Sequence, residues 1–501
     1  KQNRTGSISV SIVEKRKGKL RYLQTIGHAT NKQELQQLEI TALEQMLRLK
    51  RAEEIPFSYS EDQSHITQLQ KSISSVRNDV SVHVLENIFH TIGFGAIQDK
   101  LFRHLVIMRV LYPVSKLKTI DYLYHHYQIS YDLDYVYRYM DKLLNYQEQL
   151  QQISYEHTKK IMGGNPSIVL YDVTTLYFEA AQEDELRKAG FSKDGKHQHP
   201  QIVLGLLVTT QGYPLAYDMF EGNTFEGETM VPILNSFKKR FGLEQLIVVA
   251  DAGLLSNQNI ALLIEHQYEF ILAARIKNES HTIEQKILSH PRTDGKAIVI
   301  DKGEKLKLIV SYAKTRAKKD LYNRQRGLHK LENSLKAGKL TKAHLNKKGY
   351  NKYLELKGSV QIRIDYDKFN QDQKWDGLKG YLTNTQLTAE EVIKQYKELW
   401  HIEKAFRISK TDIRVRPIFH HLARRIRSHL NICFCSYKIY KELERQLQQK
   451  KTGLSPAKAI DILKSVYTVE TILPISRKKK QLLIVKNQVQ KDTLAALNIR
   501  Y

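Results

Sequence analysis

The sequence predicts a mixed α/β protein of several parts, on three observations. Two short β-branched runs, SIVLYD (167–172) and LIVVAD (246–251), each end in an aspartate, as buried strands with a carboxylate at the C-terminal end do. Strand and helix patterns alternate between and beyond them. The stretch Glu390–Lys410 contains neither Gly nor Pro, so a helix is expected there. At 501 residues the chain exceeds one compact domain, and its 41% hydrophobic share is enough for several cores.

Taken in order, Ser7–Gly27 alternates Ile8, Val10, Ile12 and Leu20, Tyr22, Ile26 around Lys17–Gly18, a hairpin with a basic tip. Asn31 is placed to cap a helix, with Glu34 at the capping-box position and Leu35, Leu38, Ala42, Met46 and Leu49 as its stripe. Arg51–Ile66 reads as a linker. Residues 67–162 are mainly helical: Ile97–Leu111 stops before Pro113, and Lys116–Tyr127 and Asp132–Leu144 are joined by a short polar turn. That pair fits a helix-turn-helix, or a helical hairpin that only packs.

From Pro166 the pattern turns to strands. After SIVLYD come Gln201–Thr210 and Tyr213–Phe220 about a Gln211–Gly212 turn. A helix at Glu226–Phe241, LIVVAD, a helix at Asn257–His266 and the strand Tyr268–Ala274 follow. The first hairpin belongs at the edge of a mixed sheet. This order matches a ribonuclease-H-like α/β fold, and other mixed α/β folds as well.

Within Glu390–Lys410, the residues Val392, Tyr396, Leu399, Glu403, Phe406 and Lys410 are spaced by threes and fours, which places them on one face. A carboxylate on an apolar stripe needs compensation. Glu403 is therefore either an ion-pair partner of Lys410 or Arg407, or a metal ligand completed by Asp172 and Asp251. Ligand sites in open sheets lie off the carboxyl ends of strands, and three hard oxygen donors suit Mg²⁺ or Mn²⁺. Asp251 and Glu403 are 152 positions apart (403 − 251), too far for a loop, so a domain of its own is expected between them. It contains strand-like segments at Ala297–Ile300, Leu306–Tyr312 and Val360–Tyr366. Between the last two, Lys314–Lys352 has thirteen Lys/Arg against two acids.

The net charge of +26 marks a chain built to meet polyanions. No apolar run approaches the ~20 residues of a membrane-spanning helix, and no signal peptide is recognised. The chain begins at Lys1 rather than Met, so leading residues are expected to be missing. Cys433 and Cys435 are two residues apart and poorly placed to bridge each other, and buried thiols in a reducing cytosol are expected. The Lys314–Lys352 run is expected to face phosphates rather than serve as a solvated arm. Arg414, Arg416, Arg424, Arg425 and Arg427, with His420 and His421, follow the Glu403 helix. They either position DNA phosphates or form a solvated basic face. No G-x4-G-K-[ST] is present, which excludes a P-loop motor.

The stretches YDVTTLYFE (171–179), GFSKDGKHQHPQIVLGLLV (190–208), FEGNTFEGET (220–229), VVADAGLLS (248–256) and a Y-x6-E-x6-K ending at Lys410 resemble, as a set, the DDE transposases of bacterial insertion sequences, in the branch related to the insertion-sequence-four group. The resemblance runs from about 166 to 430. It implies Asp172, Asp251 and Glu403 as the catalytic, metal-binding triad. Tyr396 and Lys410 fall on the outer positions of a Tyr-Arg-Glu-Lys signature. The signature's Arg falls on Leu399, and Lys397 or Arg407 are candidates to replace it. Tyr396, Arg407, Lys410, Arg414, Arg416, Arg424 and Arg425 are the expected DNA-binding set.

The resemblance further implies a ribonuclease-H-like core interrupted by an insertion domain, two Mg²⁺ (or Mn²⁺) ions, an N-terminal region that binds element ends, and a homodimer on DNA. The resulting layout is 1–55 hairpin and helix, 67–162 helical DNA-binding or dimerisation region, 166–276 and 387–447 core, 277–386 insertion domain, and 448–501 tail. Terminal inverted repeats and target DNA are the expected partners, in a bacterial cytoplasm at the nucleoid and away from membranes. The rival readings are a nuclease of the same fold without strand transfer and a non-catalytic DNA-binding protein derived from a transposase.

Overall fold

The computed structural model describes residues 6–16, 18–49, 59–179, 182–191, 195, 198–243, 245–341, 344–346, 349–357, 361–473 and 476–499. The chain opens with the expected hairpin, β1 (Ile8–Arg16) and β2 (Lys19–Ala29), closed at Arg16↔Lys19. Gly18 takes φ +82°, as so tight a turn requires, and Lys17 lies outside the described residues. Helix α1 (Lys32–Leu49) is capped by Asn31, whose Oδ1 accepts from Glu34 N at 2.9 Å. The Glu34 carboxylate reaches back one residue beyond the cap, to the N–H and hydroxyl of Thr30, both at 2.7 Å. Leu35, Leu38 and Ala42 of the expected stripe are half-buried and Met46 is exposed, while the Leu49 side chain lies outside the described residues. Of the expected linker, 51–58 lies outside the described residues. The remainder is helical: α2 (Tyr59–Ser72) leads directly into β3 (Ile73–Arg77).

Five helices follow: α3 (Asp79–Ile92), α4 (Lys100–Leu111), α5 (Lys116–Tyr127), α6 (Leu133–Leu143) and α7 (Gln147–Met162). Side-chain caps at Asp99, Ser115 and Asp132 start three of them, and left-handed glycines at 93 and 163 end two.

The strands β4 (Ile168–Tyr177), β5 (Gln201–Thr209) and β6 (Pro214–Glu221) come next, then α8 (Glu226–Phe241), β7 (Ile247–Ala250), α9 (Asn257–Glu265), β8 (Glu269–Ala274), α10 (His281–Ser289), β9 (Ala297–Gly303) and β10 (Leu306–Tyr312). Beyond them lie α11 (Lys314–Lys336), β11 (Leu354–Lys357), β12 (Gln361–Ile364), α12 (Tyr366–Gln371) and β13 (Leu378–Thr383). Eight strands form one sheet in the order β6-β5-β4-β7-β8-β13-β10-β9. Only β4–β7 and β7–β8 are parallel; the other five pairings are antiparallel. The β5–β6 hairpin is at the edge, as expected.

The stretch between Asp251 and Glu403 is not wholly a separate domain. Its strands β9, β10 and β13 extend the main sheet, because the antiparallel pairing of β13 with β8 continues the ladder. The stretch also packs two small cores of its own, one around Ile287, Ile300, Leu308 and Trp375, the other around Leu331, Tyr353, Leu354 and Ile364.

One face of the sheet is apolar. Val169, Tyr171, Val248, Ala250, Phe270, Leu272 and Leu382 pack there against Met230, Leu234 and Phe237 of α8 and Leu263 of α9. The pleat sends the alternate residues to the opposite face. The chain then continues through α13 (Ala389–Lys397), α14 (Trp400–Thr411), α15 (Ala423–Gln449) and α16 (Pro456–Lys464) to β14 (Tyr467–Ile472), β15 (Lys479–Ile484) and α17 (Gln488–Ala496). Helix α15 is buried along most of its length, including the thiols of Cys433 and Cys435, and packs on α3, α4, α6 and α7.

Two compact units result. One gathers Lys1–Arg77 with Tyr467–Ile484, the other Asn78–Val466 with Val485–Arg500. In the first, β14 lies between β15 and β3, so the tail completes a sheet begun near residue 73.

Burial pushes the imidazoles of His104 and His157 down to about 4 and that of His420 to about 3. Nearby cations add to the effect: Arg103 at His104, Lys438 at His157, Lys116 and Arg109 at His420. Unfolded histidines take up a proton near pH 6.5. The unfolded chain therefore binds more protons between pH 6.5 and 4, and the contribution present above pH 6.5 is lost as the pH falls through that window. Urea unfolding should show stability falling from pH 7 to 5, by roughly 1.4 kcal/mol per pH unit for each such histidine. His157→Gln should make that fall shallower.

Candidate active site

Asp172 lies in the middle of β4, not at its end. The residues after it, VTTLY, are β-branched or aromatic except for Leu176 and stay paired with β5 as far as Tyr177↔Gln201. The expected relation holds against the other neighbour. Parallel pairing of β4 with β7 runs through Ile168↔Ile247 to Leu170↔Val249, and β7 ends at Ala250. Two residues further along both chains, Asp172 is level with Asp251. Since Ala250 pairs with Leu272 and Leu272 with Leu382, the next row runs Asp251, Ala273, Tyr381. All four side chains of that row belong to the face opposite the α8 core.

The Asp251 carboxylate is held from two sides. Its Oδ1 accepts from Ala252 N at 2.7 Å and from the Tyr396 hydroxyl at 3.2 Å. Asp172 Oδ1 accepts from Val173 N at 2.8 Å. Burial, reinforced by Asp251, raises the Tyr396 phenol far above its usual range, so it remains a donor. Tyr381 meets its ring edge-on at 5.0 Å between centroids.

The single helix expected over Glu390–Lys410 is two. A full capping box of Thr388 and Glu391 starts α13. Around Glu398–Leu399, three-residue bonds (Glu398 N to Gln395 O, Leu399 N to Tyr396 O, Ile402 N to Leu399 O) tighten the backbone into a turn. The stripe is shifted as a result: Val392, Tyr396, Leu399, Ile402, Ala405 and Phe406 are buried, and Glu403 is exposed. Glu403 is therefore not a carboxylate on a buried stripe.

Helix α14 packs on β4 and β5, where Phe406 shares an apolar pocket with Leu204 and Leu206, the latter paired to Asp172. Beside Glu403, Lys404 donates to Glu444 of α15 at 2.6 Å, and Lys441 joins the same carboxylate.

Two residues at this edge were missed. Lys379 and Tyr381 lie on β13, in LKGYLT, whose alternation was the available signal. The Lys379 ammonium is 4.1 Å from the centroid of the Tyr396 ring. Burial, then Arg316, lowers its pKa, while Asp251 and Glu403 oppose the shift.

The expected DNA-binding residues are dispersed. Tyr396 is buried against Asp251. Arg407 and Arg414 are exposed, and Lys410 is half-buried. Arg416 lies 5.3 Å over the Tyr177 ring. Arg424 and Arg425 both donate to Asp141 of α6, at 2.9 and 2.8 Å, and their hydrogen bonds hold that carboxyl below its usual range. Among the described residues, no three His, Cys, Asp or Glu side chains are close enough together to hold a metal ion. The donors at this edge are nevertheless hard carboxylate oxygens, the type that Mg²⁺ and Mn²⁺ take.

A family model described as the transposase DDE domain matches residues 163–439, from the end of α7 into α15. The chain belongs to the DDE transposases. It is a DNA transposase, an enzyme that cleaves and transesterifies phosphodiesters. Similar solved structures include a piggyBac transposase synaptic complex with hairpin DNA (10% identity, 75% of this chain and 70% of that chain, TM-score 0.39). They also include a Mos1 transposase paired-end complex with the left transposon end (12%, 46% and 72%, 0.16) and the Mos1 mariner paired-end complex with Mn (14%, 46% and 72%, 0.15). No curated protein matches the chain.

Glu444→Gln tests how the Glu403 helix of the transposase is held. It leaves Lys404 and Lys441 without their shared carboxylate, so urea unfolding should show a loss of about 3 kcal/mol.

Proposed function

We propose that this transposase cleaves DNA at the ends of an insertion sequence and joins them to target DNA, with Asp172, Asp251 and Glu403 as its catalytic carboxylates. One observation carries the reading: the register of β4 and β7 sets Asp172 and Asp251 level where β7 ends, on the sheet face opposite the α8 core. The Y-x6-E-x6-K pattern supports membership of the insertion-sequence-four-like group.

The three carboxylates would hold two divalent ions, Mg²⁺ or Mn²⁺. Bound there, such ions supply charge stabilisation and a reactive oxygen nucleophile at neutral pH. The protein's own part is orientation. The Tyr396 hydroxyl and the Ala252 N–H hold one Asp251 oxygen, Oδ1.

DNA is the substrate this basic chain suits, and assembly on it as a homodimer is part of the proposal. Helix α11 adds support. Its Lys318, Lys319, Arg326 and Lys330 are exposed along one basic element. Arg407, Lys410, Arg414 and Arg416 would contact phosphates nearer the carboxylates.

Asp172→Asn, Asp251→Asn and Glu403→Gln should each abolish nicking of a supercoiled plasmid in Mn²⁺ while keeping the Kd for a 40-base-pair duplex within about threefold, because phosphate contacts dominate affinity. Nicking at the wild-type rate by any of the three folded variants would remove that residue from the site. Cleavage of element ends without joining to a second plasmid would favour a nuclease. Replacing Lys318, Lys319, Arg326 and Lys330 with Gln should lower the slope of log Kd against log salt by about one unit per lost contact. An unchanged slope would make α11 a solvated arm.

A further inference from the structure

The residue that the active-site edge leaves unexplained is Lys379. Strand β13 runs antiparallel to β8, so its first residues lie at the carboxyl end of the parallel strands, where Asp251 is. Tyr381 is in the row of Asp172 and Asp251, and Lys379, two residues before it, shares its face and lies one step further out. Its ammonium is fixed by aromatic rings, 4.1 Å from the Tyr396 centroid and 5.6 Å from that of Tyr381. The Tyr396 hydroxyl donates to Asp251, so cation, ring and carboxylate form one chain of contacts. Both Asp251 and Glu403 act on Lys379 electrostatically. Arg316, in the first turn of α11, acts on it as well, which places the basic helix's start beside the same edge.

A phosphodiester approaching Asp172, Asp251 and Glu403 brings negative charge into a cleft already lined with carboxylates, and its reaction places more on the non-bridging oxygens. A preorganised donor aimed at those oxygens is what such a site requires.

We propose that Lys379, held at this edge on strand β13, contacts the scissile phosphate. This rests on the assignment of Asp172, Asp251 and Glu403 as the catalytic carboxylates. The alternative role is structural: a lysine that stacks on two tyrosines and balances distant charge.

The test uses the full chain with Lys379→Gln, Lys379→Arg and, as a control, Asp251→Asn. The probes are a supercoiled plasmid nicked in Mn²⁺ and a labelled 40-base-pair duplex bound between 50 and 200 mM KCl. Lys379→Gln should lower kcat for nicking by about 100-fold with KM changed less than about threefold, as expected for a contact strengthened in the transition state. Lys379→Arg should recover at least a tenth of the wild-type rate. In the Asp251→Asn background, where no chemistry occurs, Lys379→Gln should lower the salt slope of duplex binding by about one unit, as for one lost phosphate contact. Should Lys379→Gln melt more than about 5 °C below wild type, Lys379→Met, which keeps the stem on the rings, is read in its place. Nicking within threefold of wild type by the neutral variant, or equal loss in Lys379→Arg, overturns the proposal. Wild-type nicking by Asp251→Asn overturns instead the carboxylate assignment beneath it.

Discussion

The short parallel pairing of β4, β7 and β8 is the constraint on which the rest of the enzyme depends. Strand β7 is only four residues long and stops at Ala250, while β4 continues beside β5 to Tyr177. That mismatch opens a gap in the ladder beyond Leu170↔Val249. Asp251 leaves the sheet at the gap, and Asp172 remains in it at the same level. Helices α13 and α14 cross the face above, and β13 brings further polar side chains to the same edge from the far side of β8. If β7 were two residues longer, Asp251 would be held within a regular ladder, and the carboxylates would have no opening to face.

Much of this was legible in the sequence. The runs SIVLYD and LIVVAD, the Gln211–Gly212 turn and the helix Glu226–Phe241 are local signals, and the structure follows them closely. What was not legible depends on distant partners. Asp172 reads as a strand end, because nothing in YDVTTLY announces that β5 pairs along its whole length. The 21-residue polar-apolar pattern of Glu390–Lys410 reads as one helix, because the tightened turn at Glu398–Leu399 involves neither Gly nor Pro. Strand β13 was passed over: its burial depends on β8 and β10, some 70 to 110 residues away in the chain. Lys379 was invisible for the same reason.

The net charge of +26 is a correct guide to partners and a poor guide to surfaces. Several cations are committed within the fold. Arg424 and Arg425 grip Asp141, Arg324 meets Asp376 at 2.8 Å, and Lys438, fully buried in α15, donates to the Ser154 carbonyl at 3.0 Å. Burial takes the Lys438 ammonium down to about 7. The exposed basic surface is therefore smaller than the composition suggests and is concentrated in elements such as α11.

The three-stranded sheet joins residues almost four hundred positions apart: Arg77 pairs with Thr468, and Ser75 with Glu470. During synthesis β3 emerges early, yet its partner does not exist until the ribosome has added nearly four hundred more residues. Until then one edge of β3 presents open backbone donors and acceptors, the condition under which strands join the wrong neighbour. The eight-stranded sheet, complete by Thr383, has all its strands available well before that edge can close. Translation itself thus orders assembly, with the catalytic sheet able to form first and β3 joining the late strands β14 and β15 last.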